Sequence, residues 1–166
     1  YCFWGGLVDY NFNLLLELDD KGCVAFKSFV GPVSPDYVSL TMGQVKEALE
    51  ILKTINARAG FHCEDYSIIK WEEERANRKE ELTWNDFLNS RPLIAELMAT
   101  KNVIDLAKEI GAKIHICHIS HPEVAKVVQE AQQEGVDVTG ETCSHYLTFN
   151  RDDVIKNGSL FKCAPP

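Results

Sequence analysis

The sequence predicts an α/β protein on a parallel sheet, and three observations lead there. Short apolar runs alternate with amphipathic stretches of helical period, the order of strands joined by right-handed crossovers. The 166 residues suffice for one domain, and shares of 45% apolar and 25% charged residues are those of an ordinary globular chain. One polar residue stands near the end of each of three strands, where parallel α/β folds gather their reactive groups. Two closures stay open on these grounds: an open doubly wound sheet, or part of a (β/α)8 barrel, whose full length is about 250 residues.

The elements follow in order. "CVAFKSF" (23–29) lies behind Gly22 and reads as a buried strand. In "TMGQVKEALEILKTINARAG" the residues Val45, Ala48, Leu49 and Leu52 repeat at helical spacing, with Gly60 as the expected stop. "AGFHCE" (59–64) is a second strand, and the polar segment after it predicts one or two exposed helices. Residues 91–110 predict a long helix with Pro92 in its first turn and Gly111 at its end. "KIHICHIS" (113–120) is a third strand. Pro122 opens the next helix, where Val124, Val127, Val128 and Ala131 mark one face and Gly135 the end. "VDVTGETCS" (136–144) is a fourth strand. "FNRDDVIKNGSLF" predicts a surface turn and a short helix, with Asp152 and Asp153 as its solvated start.

Composition excludes some partners. A net charge of −8 argues against nucleic acid and anionic membranes. No apolar run approaches the roughly 20 residues of a membrane span. The six cysteines form no C-x-x-C pair and read as reduced thiols of a cytoplasmic protein.

The strand ends carry Lys27, His62 and His118. Side chains alternate along a strand, so a strand over 113–120 places Ile114, Ile116 and His118 on one face and His115 and Cys117 on the other. On that reading His118 is a ligand, His115 packs against the helix layer, and His121 is a loop residue near a helix cap. Neutral imidazole suits zinc and similar divalent ions. Two histidines leave a site incomplete, since catalytic zinc usually has three protein ligands. Lys27 could complete it as a carbamate formed with CO₂, or be a snorkelling lysine at a strand end.

Seven blocks in order, "FWGGLV" (3–8), "GCVAFKSF" (22–29), "GFHCED" (60–65), "SRP" (90–92), "IHICHISHPE" (114–123), "GETCSHYL" (140–147) and "FKCAPP" (161–166), resemble the cyclic-amide hydrolases of the amidohydrolase superfamily. The resemblance runs over essentially the whole chain. Within that group "FWGGLV" and "FKSF" resemble the allantoinases. Pro32 stands where hydantoinases and dihydropyrimidinases carry a substrate-contacting tyrosine, and many bacterial dihydroorotases of similar type lack the lysine. Ser144 replaces the usual proline of "GETCSHY".

The resemblance implies a TIM (β/α)8 barrel of which residues 1–166 form a partial domain, about strands 4–7. It implies a binuclear centre of divalent metal, zinc foremost, with Lys27 as a carboxylated bridging ligand and His62 and His118 as ligands on the next two strands. His145 and Tyr146 become substrate-binding candidates, and Glu64 and Asp65 could position His62. The implied substrate is a small cyclic ureide or amide. The family's H-x-H pair and general-base aspartate lie outside these 166 residues, so the chain alone is expected to be inactive. A scaffold that has lost catalysis is the alternative of another class. Unpaired strand edges imply self-association into a homo-oligomer.

Overall fold

The computed structural model describes residues 1–32 and 37–166. Its sheet has five parallel strands: β1 Phe3–Gly6, β2 Cys23–Val30, β3 Arg58–Cys63, β4 Lys113–Ile116 and β5 Val138–Gly140. Spatial order follows chain order, β1-β2-β3-β4-β5. A doubly wound sheet reverses its order at a switch point, and no reversal occurs here. Parallel strands laid down in sequence, each joined by a right-handed crossover, put every connection on the same face. This decides between the two closures in favour of the singly wound arrangement of a barrel.

The helices are α1 Leu15–Asp20, α2 Met42–Thr54, α3 Tyr66–Ala76, α4 Trp84–Asn89, α5 Leu93–Ile110, α6 Pro122–Gln133 and α7 Arg151–Asn157. The core lies between the strands and α2, α5 and α6. Phe26 and Val30 of β2, Ala59 and Phe61 of β3, Ile114 and Ile116 of β4 and Val138 of β5 meet Val45, Leu49, Leu52, Val103 and Val124 there. The opposite sheet face carries Trp4, Lys27, His62 and His115, and Trp4 is 45% exposed.

Local chemistry explains the helix ends. Thr41 and Gln44 form a capping box at α2, and Asp65 caps α3 by accepting from the amides of Ser67 and Ile68. Pro92 is the N-cap of α5, which ends at Gly111 with φ of +74°. His121 caps α6, its Nδ1 accepting from the Glu123 amide at 3.2 Å. Asp152 and Asp153 lie in the first turn of α7, as expected of a solvated helix start.

Four expectations need correction. β1 adds a strand before the one bearing Lys27, so the expected window of strands 4–7 widens to five. "FWGG" has no long apolar run, and only its pairing with β2 makes it a strand. The short helix α1 was likewise not expected. Gly60 does not stop α2, which ends at Thr54 before Asn56 at φ +57°. Gly60 lies inside β3 facing the Trp4 ring, and a Cβ there would overlap the indole. Finally, β4 stops at Ile116, four residues short of the expected end.

Candidate metal centre

The early end of β4 reverses the expected facing of its histidines. Ile114 pairs with Ala59 and Ile116 with Phe61, and all four are buried against the helices. His115 pairs with Gly60, which pairs with Lys27. His115 therefore shares the sheet face of Lys27 and His62, contrary to the reading that set it against the helix layer. Strand alternation does not govern His118, because His118 lies beyond the strand with φ of +38°. That left-handed turn brings the imidazole back to the face from which continued alternation would have directed it away.

Neighbouring bonds pin this turn. The Cys117 amide donates to Phe61 O at 3.0 Å, and the Ile119 amide to Glu141 O at 2.7 Å. The Ser120 amide donates to Glu96 Oε1 at 3.0 Å, and the Ser120 hydroxyl bonds the other carboxylate oxygen. Glu96 is buried, and burial raises its pKa against the opposing effect of these two bonds. A non-glycine residue in the left-handed region costs about 1–3 kcal/mol, and such bonds hold it there.

His62 and His118 meet at the carboxyl end of the sheet. His62 Nδ1 stands 3.2 Å from His118 Nε2, with ring centroids 4.8 Å apart. Two nitrogens each about 2.05 Å from a tetrahedral zinc stand about 3.3 Å apart, so this pair has the spacing of two ligands on one ion. His62 is 3% exposed, and its Nε2 lies 2.9 Å from Glu64 Oε2. That carboxylate fixes the proton on Nε2 and leaves the Nδ1 lone pair free, the carboxylate–histidine arrangement behind metal ligands. Glu64 is 2% exposed and also accepts from Arg91 Nη1 at 2.5 Å, while Arg91 Nη2 reaches Glu73 at 3.1 Å. Burial first, and then the positive charge that His62 carries only when protonated and that of Lys27, push His118 down to about 4. Its imidazole is neutral at pH 7, the form that ligates metals. His118 Nδ1 is buried without a hydrogen-bond partner.

Lys27 lies on the same face, two residues before the partner of His62. Its Nζ donates to Ser28 O at 2.6 Å and sits 3.9 Å above the Phe29 ring, whose centroid is 5.7 Å from that of His62. Burial lowers the Lys27 pKa. An amine with more of its free base is better able to add CO₂. The set of two imidazoles, one oriented by a carboxylate, and one desolvated amine fits a divalent ion.

His145 and Tyr146 sit elsewhere. They belong to the 3-10 turn Ser144–Leu147 and line a cavity of about 560 Å³ with Glu64, Arg91, Glu96 and His121. Neither His62, His118 nor Lys27 lines it. The Tyr146 hydroxyl donates to Pro165 O at 2.7 Å, and His145 Nε2 lies 3.4 Å from Cys163 Sγ. Sequence reasoning missed Arg91 as the partner of Glu64 and Glu96 as the anchor of Ser120. Arg91 stands in the block "SRP" just before α5 and Glu96 in the first turn of that helix, so a search of strand ends passes over both.

No family model matches the chain. The allantoinases of Salmonella paratyphi B and Salmonella newport are each 38% identical to it over 98% of this chain and 37% of their own length. Among solved structures, the L-hydantoinase (dihydropyrimidinase) of Arthrobacter aurescens superimposes with a TM-score of 0.95 at 26% identity, over 99% of this chain and 37% of that one. The D-hydantoinase (dihydropyrimidinase) of a Thermus species gives 0.89 at 17% identity, over 100% and 37%. The chain thus spans little more than a third of the length of its relatives. It is a sequence relative of the allantoinases, with the fold of one part of a hydantoinase barrel.

Proposed function

We propose that this chain is the metal-binding portion of an allantoinase-like cyclic amidohydrolase, which opens the ring of allantoin to allantoate. The observation that carries the reading is the 3.2 Å approach of His62 Nδ1 to His118 Nε2, with Glu64 behind His62. The sequence relatives named allantoinase supply the substrate class, and the alternatives within the group are dihydroorotase and hydantoinase chemistry.

His62 and His118 would hold a divalent ion, zinc foremost, and Lys27 would join them as a carbamate. Such an ion supplies Lewis acidity at a carbonyl oxygen and a bound water of lowered pKa. The chain's own residues set up the rest. Glu64 keeps the His62 proton on Nε2, and Arg91 holds Glu64 in place. Glu96 and Ser120 secure the loop that presents His118. Phe29 lies against the Lys27 amine and one side of His62. The reading places the protein in the cytoplasm, consistent with six free cysteines and with no helix among the described residues long and apolar enough to cross a membrane. It also holds that the 166 residues alone do not turn over substrate.

The test has two parts. Calorimetry on the metal-stripped chain should show a zinc-binding step that is lost in His62→Ala and in His118→Ala; binding unchanged in both variants, or no binding at all, would sink the metal reading. The whole product of the reading frame containing this chain, loaded with zinc, should convert allantoin to allantoate. Hydrolysis of hydantoin or dihydrouracil but not allantoin would transfer the reading to the hydantoinases.

A further inference from the structure

A second donor set stands on the same sheet face. We propose that His115, Cys117 and Glu141 bind a thiophilic divalent cation such as zinc, at a site separate from the His62–His118 pair. One donor atom from each residue lies within 4.8 Å of the other two, and among the described residues this is the group of histidine, cysteine and carboxylate so placed.

The backbone creates the grouping. His115 pairs with Thr139 and Ile116 with Gly140, so β4 and β5 end side by side. Cys117 is the first residue past β4, and Glu141 the first past β5. The imidazole is oriented by its far nitrogen, since Nδ1 lies 2.8 Å from Thr139 Oγ1. With Nδ1–H donating to that hydroxyl, Nε2 presents its lone pair toward Glu141 Oε2, 3.7 Å away. That separation is too long for a hydrogen bond. It is near the roughly 3.4 Å expected between a nitrogen and an oxygen on one tetrahedral zinc. A histidine whose other nitrogen is held by an outer partner is the usual form of a ligating histidine.

The charges around the set also suit a cation. Cys117 as thiolate and Glu141 as carboxylate together balance a dication. Of the nearby cations, Arg58 is engaged by Asp137 at 2.5 Å and by Ile114 O, and Lys27, whose charge reaches Cys117 and Glu141, donates to Ser28 O. Binding breaks the Cys117 S–H bond, sends the proton to solvent and forms a sulfur–metal bond, with no change of oxidation state. Cys117 is buried and Glu141 exposed, so the ion would enter past the carboxylate.

Cobalt(II) is the probe, because only a thiolate ligand gives a sulfur-to-cobalt charge-transfer band in the near ultraviolet. Titration of the metal-stripped 166-residue chain should raise a saturable band. The band should vanish in Cys117→Ser and persist in His62→Ala. Thr139→Val leaves all three donors in place and should weaken cobalt binding by about tenfold or more, the usual loss for an outer-shell partner. Glu141→Gln should weaken it as well, which keeps the test alive if Cys117→Ser does not fold. Absence of the band at saturating cobalt overturns the proposal. So does a band that survives Cys117→Ser, or equal affinity in Thr139→Val and Glu141→Gln. The His62–His118 reading is decided separately, by zinc binding in the Cys117→Ser chain.

Discussion

Replacing Glu64 by glutamine tests whether the carboxylate serves His62 or only balances Arg91. In the structure both His62 Nε2, at 2.9 Å, and Arg91 Nη1, at 2.5 Å, converge on the same oxygen, Oε2. A glutamine of equal volume can place its single carbonyl oxygen there and accept both bonds, so Glu64→Gln removes charge with little change of shape. Bonds to a charged acceptor contribute about 1.5–3 kcal/mol and neutral ones about 0.5–1.5 kcal/mol, so the expected loss of stability is about 2 kcal/mol. His62 also becomes a poorer ligand, and zinc affinity should fall about 10- to 100-fold, as for other outer-shell partners. Glu64→Ala should cost more than Glu64→Gln, because it removes a fully buried side chain and leaves the Arg91 guanidinium only the half-exposed Glu73 as partner. Calorimetry with zinc and guanidinium unfolding measure the two effects separately. If Glu64→Gln binds zinc as tightly as the parent chain while its unfolding midpoint drops, Glu64 is only the counter-ion of Arg91 and the positioning argument is wrong.

Stability of the metal-free chain should depend on His118. Its pKa falls from the ordinary 6.5 to about 4 on folding, so the unfolded chain takes up a proton first as pH drops. The stability it contributes is complete above pH 6.5 and is lost as pH falls toward 4, by up to about 3 kcal/mol; His118→Gln should flatten that slope, and an unchanged urea midpoint profile between these pH values would contradict it. The φ of +38° predicts that His118→Gly is more stable than His118→Ala by about 1 kcal/mol, measured by thermal unfolding; equal midpoints would remove the case for backbone strain. The sheet edges at β1 and β5 and the exposed Phe3 and Trp4 predict self-association, and light scattering that shows a monomer at micromolar concentration would count against it.

Sequence alone determined the parts set by local rules. The buried stripe Val45, Ala48, Leu49 and Leu52 of α2 follows from helical period, and the boundaries near Pro92, Gly111 and Pro122 from backbone chemistry. Lys27, His62 and His118 stood out as polar residues near strand ends, and the structure brings the two histidines within hydrogen-bond distance. Alternation failed for β4 because it presumes that the strand continues. Where β4 ends depends on its pairing with β3 and β5, and those partners lie far away in sequence. The same long-range pairing makes "FWGG" a strand, lays Trp4 over Gly60, and joins Glu141 to His115 and Cys117. Residue type and local period thus named the candidate ligands, while the face each one shares was decided by register between strands, an energy of contacts that no single stretch of sequence contains.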